Sequence, residues 1–277
     1  MMAGSSFRYL TIMVLPQHLQ RTYRELAANP KYQHFTRIPV RIIQCIDYFS
    51  IPCDREAVGD RLHGYYLFIG VVDDAIDSSR LETGRLVLDY LNRATVLSGE
   101  EVGRSKLELI TEVLKYQISD SVHSPMMNQL RELYHEVISE RCATEINSFI
   151  EHRQKVGSLT AELSFTLIRP HLGNGHERLL EFMKHVGALG CLIDSLIDLN
   201  KDRRLGLLGF DPKAKDLVTL ARRILRDGMR LSLRNPRLCG LFLQAIVDNV
   251  RDRFRAERNV AQPSIVSERK GTAAGVA

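Results

Sequence analysis

With 277 residues, 44% of them hydrophobic and 26% charged, the chain is sized for one globular domain around a single core. Its five cysteines (Cys45, Cys53, Cys142, Cys191, Cys239) are odd in number and lack CxxC spacing, which argues against a disulfide framework or a zinc site and fits a reducing cytosol. The net charge of +5 is uneven: between Lys201 and Arg237 eleven Lys and Arg stand against four Asp, a segment suited to a phosphate group or a membrane surface. Nucleic acid fits it least, because no aromatics are interleaved and no recognition motif accompanies the charge.

From the N-terminus, "FRYLTIMVL" is apolar but short, has no small-residue cleavage site and runs into Pro16, so it does not read as a signal peptide. No run reaches the roughly 20 apolar residues needed to span a bilayer. Helical periodicity then predicts helices over 17–29, 36–50, 55–78, 81–97, 102–121, 125–154, 158–172, 176–203, 214–234 and 236–258. Pro30, Pro52, Pro125, Pro170, Pro212 and Pro236 fall near the ends of these spans, and strand-type alternation with Asn-Gly or Asp-Gly turns is missing. The expectation is an all-α fold: one large bundle of about ten helices around a central apolar cavity, over residues 1–258. The small, polar residues 259–277 are expected to be a disordered tail.

Two predicted helices end in carboxylates. In "GYYLFIGVVDDAIDSS", residues 64–79, Asp73 and Asp77 are four apart and share a face, while Asp74 lies about 100° round. Unpaired carboxylates buried there would cost several kcal/mol, so they must be solvated at a helix end or bound to cations. Asp77 with Ser78 and Ser79 also suits a cap for the next helix. In "GALGCLIDSLIDLNKDRRLG", residues 187–206, Asp194, Asp198 and Asp202 follow at i, i+4 and i+8, spanning roughly 12 Å. Facing each other, the two stripes would make a negative pocket that hard divalent cations stabilise.

All-oxygen ligands point to Mg²⁺, and Mg²⁺ held by few carboxylates keeps positions that substrate phosphates fill. The apolar helix faces before the acids suggest a polyphosphate ligand with an apolar body. Gly70, Gly187 and Gly190 precede the acids; each either makes room for such a chain or allows close helix packing.

These motifs resemble those of the class I isoprenoid (terpene) synthase superfamily. "DDAID" is similar to its first DDxxD motif. "DSLIDLNKD" is similar to a DxxxDxxxD form of the second, nearest to squalene/phytoene synthase-like and bacterial large terpene synthase-like enzymes. "KVGSLTAELSF", residues 155–165, looks like the helix with a small-residue break between the motifs. The chain departs from the chain-elongating enzymes, since it has neither Gly-Gly-Lys-x-Arg nor Arg-Arg-Gly and carries Ser195 in the second motif. It also lacks the Asn/Ser/Glu metal triad of many terpene cyclases.

The resemblance implies a cytoplasmic enzyme that ionises a prenyl diphosphate with up to three Mg²⁺ ions, held by Asp73, Asp77, Asp194 and Asp198 as the catalytic set with Asp74 and Asp202 completing it. Arg80, Lys155, Arg203 and Arg251 are the candidates to hold the diphosphate, with Arg204 and Arg255 beside them, although each also suits a solvated surface. Tyr65, Tyr66, Phe68, Phe165 and Phe242 are candidates to line a dry cavity for the carbocation or simply to fill the core. A homodimer is left open. The segment 216–236 places Arg222, Arg226, Arg230 and Arg234 opposite Leu217, Leu220, Ile224 and Leu225. Such a basic amphipathic helix suits peripheral contact with the inner face of an anionic membrane, or a solvated stripe.

Other classes fit less well. A di-iron bundle needs two Glu-x-x-His pairs and only Glu132 with His135 is present; a His-Asp phosphohydrolase needs an adjacent His-Asp pair and none occurs. The remaining alternative is a non-catalytic helical isoprenoid-binding or scaffold protein.

Overall fold

The computed structural model describes residues 15–78, 82–92, 106–241, 243–248 and 251, and these are helical with short connections. Nine α-helices follow in order: α1 Gln17–Ala27, α2 Gln33–Tyr48, α3 Arg55–Ser78, α4 Glu82–Asn92, α5 Lys106–Gln117, α6 Asp120–Arg141, α7 Ile146–Ile168, α8 Glu177–Arg204 and α9 Ala214–Arg234. Helical backbone resumes over 239–241 and 243–248. None of the described helices is long and apolar enough to cross a membrane. All five cysteines are free. The expected tail 259–277, Phe242, Arg80 and Arg255 lie outside the described residues.

Two helices hold the arrangement together. α3 packs on α1, α2, α4, α5 and α7, while α7 packs on α3, α6, α8 and α9. The main core lies between them, where Leu62, Tyr65, Leu67, Phe68, Leu163 and Leu167 are almost wholly buried; each such side chain contributes about 1.5–3 kcal/mol. The aromatics expected to line a cavity, Tyr65, Tyr66, Phe68 and Phe165, all belong to this core. Tyr65 meets Tyr66 edge-on at 5.2 Å and donates its hydroxyl to the Thr160 carbonyl at 2.9 Å.

The interior breaks differ from the sequence expectation. Helices expected over 125–154 and 158–172 are instead α6 and α7, parted at residues 142–145. Gly157 and Ser158, read as a small-residue break, lie inside α7. A Cβ on Gly157 would stand 2.2 Å from the Gly187 carbonyl oxygen, and one on Gly187 would stand 2.3 Å from the Gly157 oxygen. Glycine is required here for close approach of α7 to α8 rather than for a break. Pro125, expected to open a helix, lies in the second turn of α6, which starts at Asp120. Gly70 also serves packing, since the Phe35 ring fills the space its Cβ would take, at 2.5 Å, whereas nothing lies within 4 Å at Gly190.

Candidate functional site

α3 and α8 both run antiparallel to α7. Tyr65 meets Thr160 while Asp73, further along α3, feels the charge of Arg153. Gly187 meets Gly157 while Lys184 pairs with Glu162 and the Cys191 carbonyl with Arg153. The C-termini of α3 and α8 therefore finish at the same end of the bundle. Asp73 and Asp77 occupy the last two turns of α3, and Asp198 and Asp202 the last two of α8, with Asp194 one turn earlier. A helix C-terminus carries the negative end of the macrodipole. Carboxylates gathered at two such ends therefore repel both each other and the backbone, and cations must offset them.

The two stripes lie within electrostatic reach of each other. Burial and then the Asp77 charge push the Asp73 carboxyl up to about 6, with Glu140 and Asp194 adding to the rise and Arg153 opposing it. Burial and then the Asp198 charge push Asp202 up to about 6, with Asp77 of α3 adding and Arg153 and Lys201 opposing. Asp77 is raised by burial and held back by Arg141, Arg153 and Lys201. Asp73 is exposed at the surface, so solvent tempers the rise that the dense protein on its inner side produces. Asp73 and Asp77 of α3 and Asp194 and Asp202 of α8, with Arg153 of α7 among them, make up the acidic cleft.

Arg153 of α7 lies at the centre of this charge. Its Nη1 donates to both carboxylate oxygens of Glu140, at 3.2 and 3.4 Å, and its Nε donates to the Cys191 carbonyl at 3.4 Å. Burial favours its neutral form, but the charges of Glu140, Asp73 and Asp194 outweigh that and hold its pKa well above the ordinary guanidinium value. Only 26% of the side chain reaches solvent. Arg141, at the end of α6, donates to Asp77 at 2.8 Å. Burial pushes the neighbouring Cys191 thiol up to about 12, with Arg153 opposing and Asp194, Glu140 and Asp73 adding to the rise.

The remaining candidates lie elsewhere. Asp74 turns away from the cleft and is ion-paired with Lys31, while also accepting the Tyr32 hydroxyl at 3.1 Å. Lys155, two residues past Arg153 and so on another face of α7, is taken up by Glu136 at 2.6 Å and Glu132 at 3.2 Å. Arg203 pairs with Asp211 at 2.7 Å, and Arg251 is exposed on the helical segment after 239. The reading of Asp77 as a cap fails too, because it lies within α3 and pairs with Arg141. The cations that do reach the stripes, Arg153, Arg141 and Lys201, were missed. Lys201 was the most legible of them, being one residue before Asp202.

Among the described residues no three His, Cys, Asp or Glu side chains are gathered closely enough to cage a metal. Mg²⁺ needs no such cage, since one or two carboxylates with substrate phosphates suffice. The donor set is all oxygen, as a hard cation prefers, and burial with neighbouring acids disfavours the charged forms of Asp73 and Asp202. Comparisons with family models, with curated proteins and with solved structures give no match, so the chemistry has to be argued from these residues alone.

Proposed function

We propose that the chain is a Mg²⁺-dependent class I isoprenoid (terpene) synthase. In this reading it ionises an allylic prenyl diphosphate and converts the carbocation to a terpene or a condensed prenyl product, releasing diphosphate. One observation carries the reading: acids of two helix ends, separated by about 120 residues of chain, lie within each other's charge fields, Asp73 with Asp194 and Asp77 with Asp202.

Asp73, Asp77, Asp194 and Asp198 hold the ions, and Asp202 completes the set. Asp74, tied to Lys31 and Tyr32, anchors the end of α3 instead of binding metal. Bound Mg²⁺ supplies Lewis-acid stabilisation of the departing diphosphate. Arg153 sits within reach of both stripes, so it serves as their counter-charge before ligand arrives and turns toward phosphate oxygens afterwards. Arg141 and Lys201 border the same space and add donors for the leaving group.

The ion pairs Arg141–Asp77 and Lys31–Asp74 favour a second reading, a non-catalytic isoprenoid-binding or scaffold protein whose acids are permanently neutralised. Incubation of the full chain with ten-, fifteen- and twenty-carbon allylic diphosphates separates the two. The synthase reading expects Mg²⁺-dependent diphosphate release, abolished by a chelator, with a hydrocarbon or prenyl product seen by mass spectrometry. Tight binding of these diphosphates without release would establish the second.

A further inference from the structure

Helix α9 has two apolar faces, and the bundle uses only one. Leu217, Leu220, Ile224 and Leu231 turn inward against α7 and α8. Leu225, expected on that face, points outward with Val218, Met229 and Leu233; these four are 64%, 49%, 60% and 83% exposed. Spacings of seven, four and four residues put them on one line about 22 Å long. Arg222, Arg226 and Arg230 run along and beside that line at four-residue spacing, all exposed.

Of the two acids of α9, Asp216 is held in the helix cap and Asp227 lies at the edge of this face, neutralised by two arginines. Asp216 is 8% exposed and accepts the Lys213 N–H at 2.8 Å as part of the helix cap. Asp227 accepts from Gln154 at 2.8 Å, from Arg223 at 2.7 Å and, more weakly, from Arg226 at 3.3 Å, which leaves the Nη groups of Arg226 for an outside anion. Next to the apolar line, a groove of about 330 Å³ between α7 and α9 is lined by Arg222, Arg223, Arg226 and Thr219, with Asn147 and Glu151 opposite. The outer face thus combines greasy side chains, guanidinium groups and a hollow that a phosphate headgroup can enter. A second copy is a poor occupant, because a symmetric pair would set two basic faces against each other.

We propose that α9 docks the chain onto an anionic phospholipid bilayer, lying in the plane of the surface. Val218, Leu225, Met229 and Leu233 enter the boundary between headgroups and acyl chains, while Arg222, Arg226 and Arg230 meet lipid phosphates. This docking is independent of the acidic cleft and stands whether or not the cleft is catalytic. Sedimentation of the full chain with phosphatidylglycerol vesicles should carry it into the pellet. Pure phosphatidylcholine vesicles should not, and about 0.5 M salt should release it. The pairs Leu225→Ser/Met229→Ser and Arg222→Gln/Arg226→Gln should each lower the partition coefficient by roughly tenfold or more, with helical circular dichroism unchanged. No binding to phosphatidylglycerol, or equal binding by the variants, overturns the proposal. So does a dimer in sedimentation equilibrium that Leu225→Ser/Met229→Ser dissociates.

Discussion

α3 has acids at both ends, and the two ends solve the same electrostatic problem differently. At its N-terminus Asp54 accepts the Ala57 N–H at 3.1 Å, and Glu56 lies in the first turn, so both sit where the helix dipole favours negative charge. Asp60, one turn on, is pushed up to about 6 by burial and then by Glu56, with Arg61 opposing. At the C-terminus the dipole is adverse, and Asp73 reaches a similar value with a second acidic helix facing it. A raised carboxyl is thus common to both ends. What distinguishes the C-terminal end is the opposition of α8 and the supply of Arg153, Arg141 and Lys201 between them.

The sharpest way to break this comparison is through turnover. Asp73→Ala and Asp194→Ala should each reduce diphosphate release by roughly a thousandfold while circular dichroism stays helical, whereas Asp60→Asn should leave the rate within about twofold of the wild type. Equal losses at both ends of α3 would mean that burial of acids, not their convergence on α8, is what matters. A smaller effect is expected in stability. Arg153→Leu removes the cation from between Asp73, Asp194 and Glu140 and should cost about 3 kcal/mol without metal. That is the low end for breaking a buried pair, because part of the side chain meets water. Millimolar Mg²⁺ should restore much of the lost melting temperature. Failure of Mg²⁺ to do so would show that Arg153 is a structural ion-pair partner of Glu140 alone.

The acids were legible in the sequence because helix periodicity is local: i, i+4 spacing puts Asp73 with Asp77, and Asp194 with Asp198, wherever the helices go. The spans 55–78 and 214–234 coincide with α3 and α9 for the same reason. Tertiary contacts are another matter. Arg153 lies in the polar run Glu151–Lys155, where nothing separates a residue facing the cleft from its solvated neighbours. The parting of α6 from α7 falls at residues 142–145, which contain neither Gly nor Pro, while Gly157 invited a break that close packing against Gly187 explains instead. On α9 the outward turn of Leu225 was hidden because the helix is apolar on two faces. Only the packing of α7 and α8 selects which one is buried.

The smallest effect separates the two ends of α3 by pH. Asp60, Asp73 and Asp202 all have folded values of about 6, above the ordinary carboxylate value near 3.9. Between pH 4 and 6 the native chain therefore holds protons that the unfolded chain has released. Stability from these groups is full below about pH 4 and is lost as pH rises through about 6. Asp60→Asn should accordingly stabilise the protein at pH 7 by about 1 kcal/mol, after allowance for its contact with water, and should flatten part of the slope of melting temperature against pH. Mg²⁺ should flatten the part due to Asp73 and Asp202, because a cation between the stripes favours their charged forms, and should leave the Asp60 part in place. A slope that Mg²⁺ leaves unchanged in the Asp60→Asn protein would mean that the C-terminal acids do not share a cation site, and the distinction between the two ends of α3 would reduce to the direction of the helix dipole.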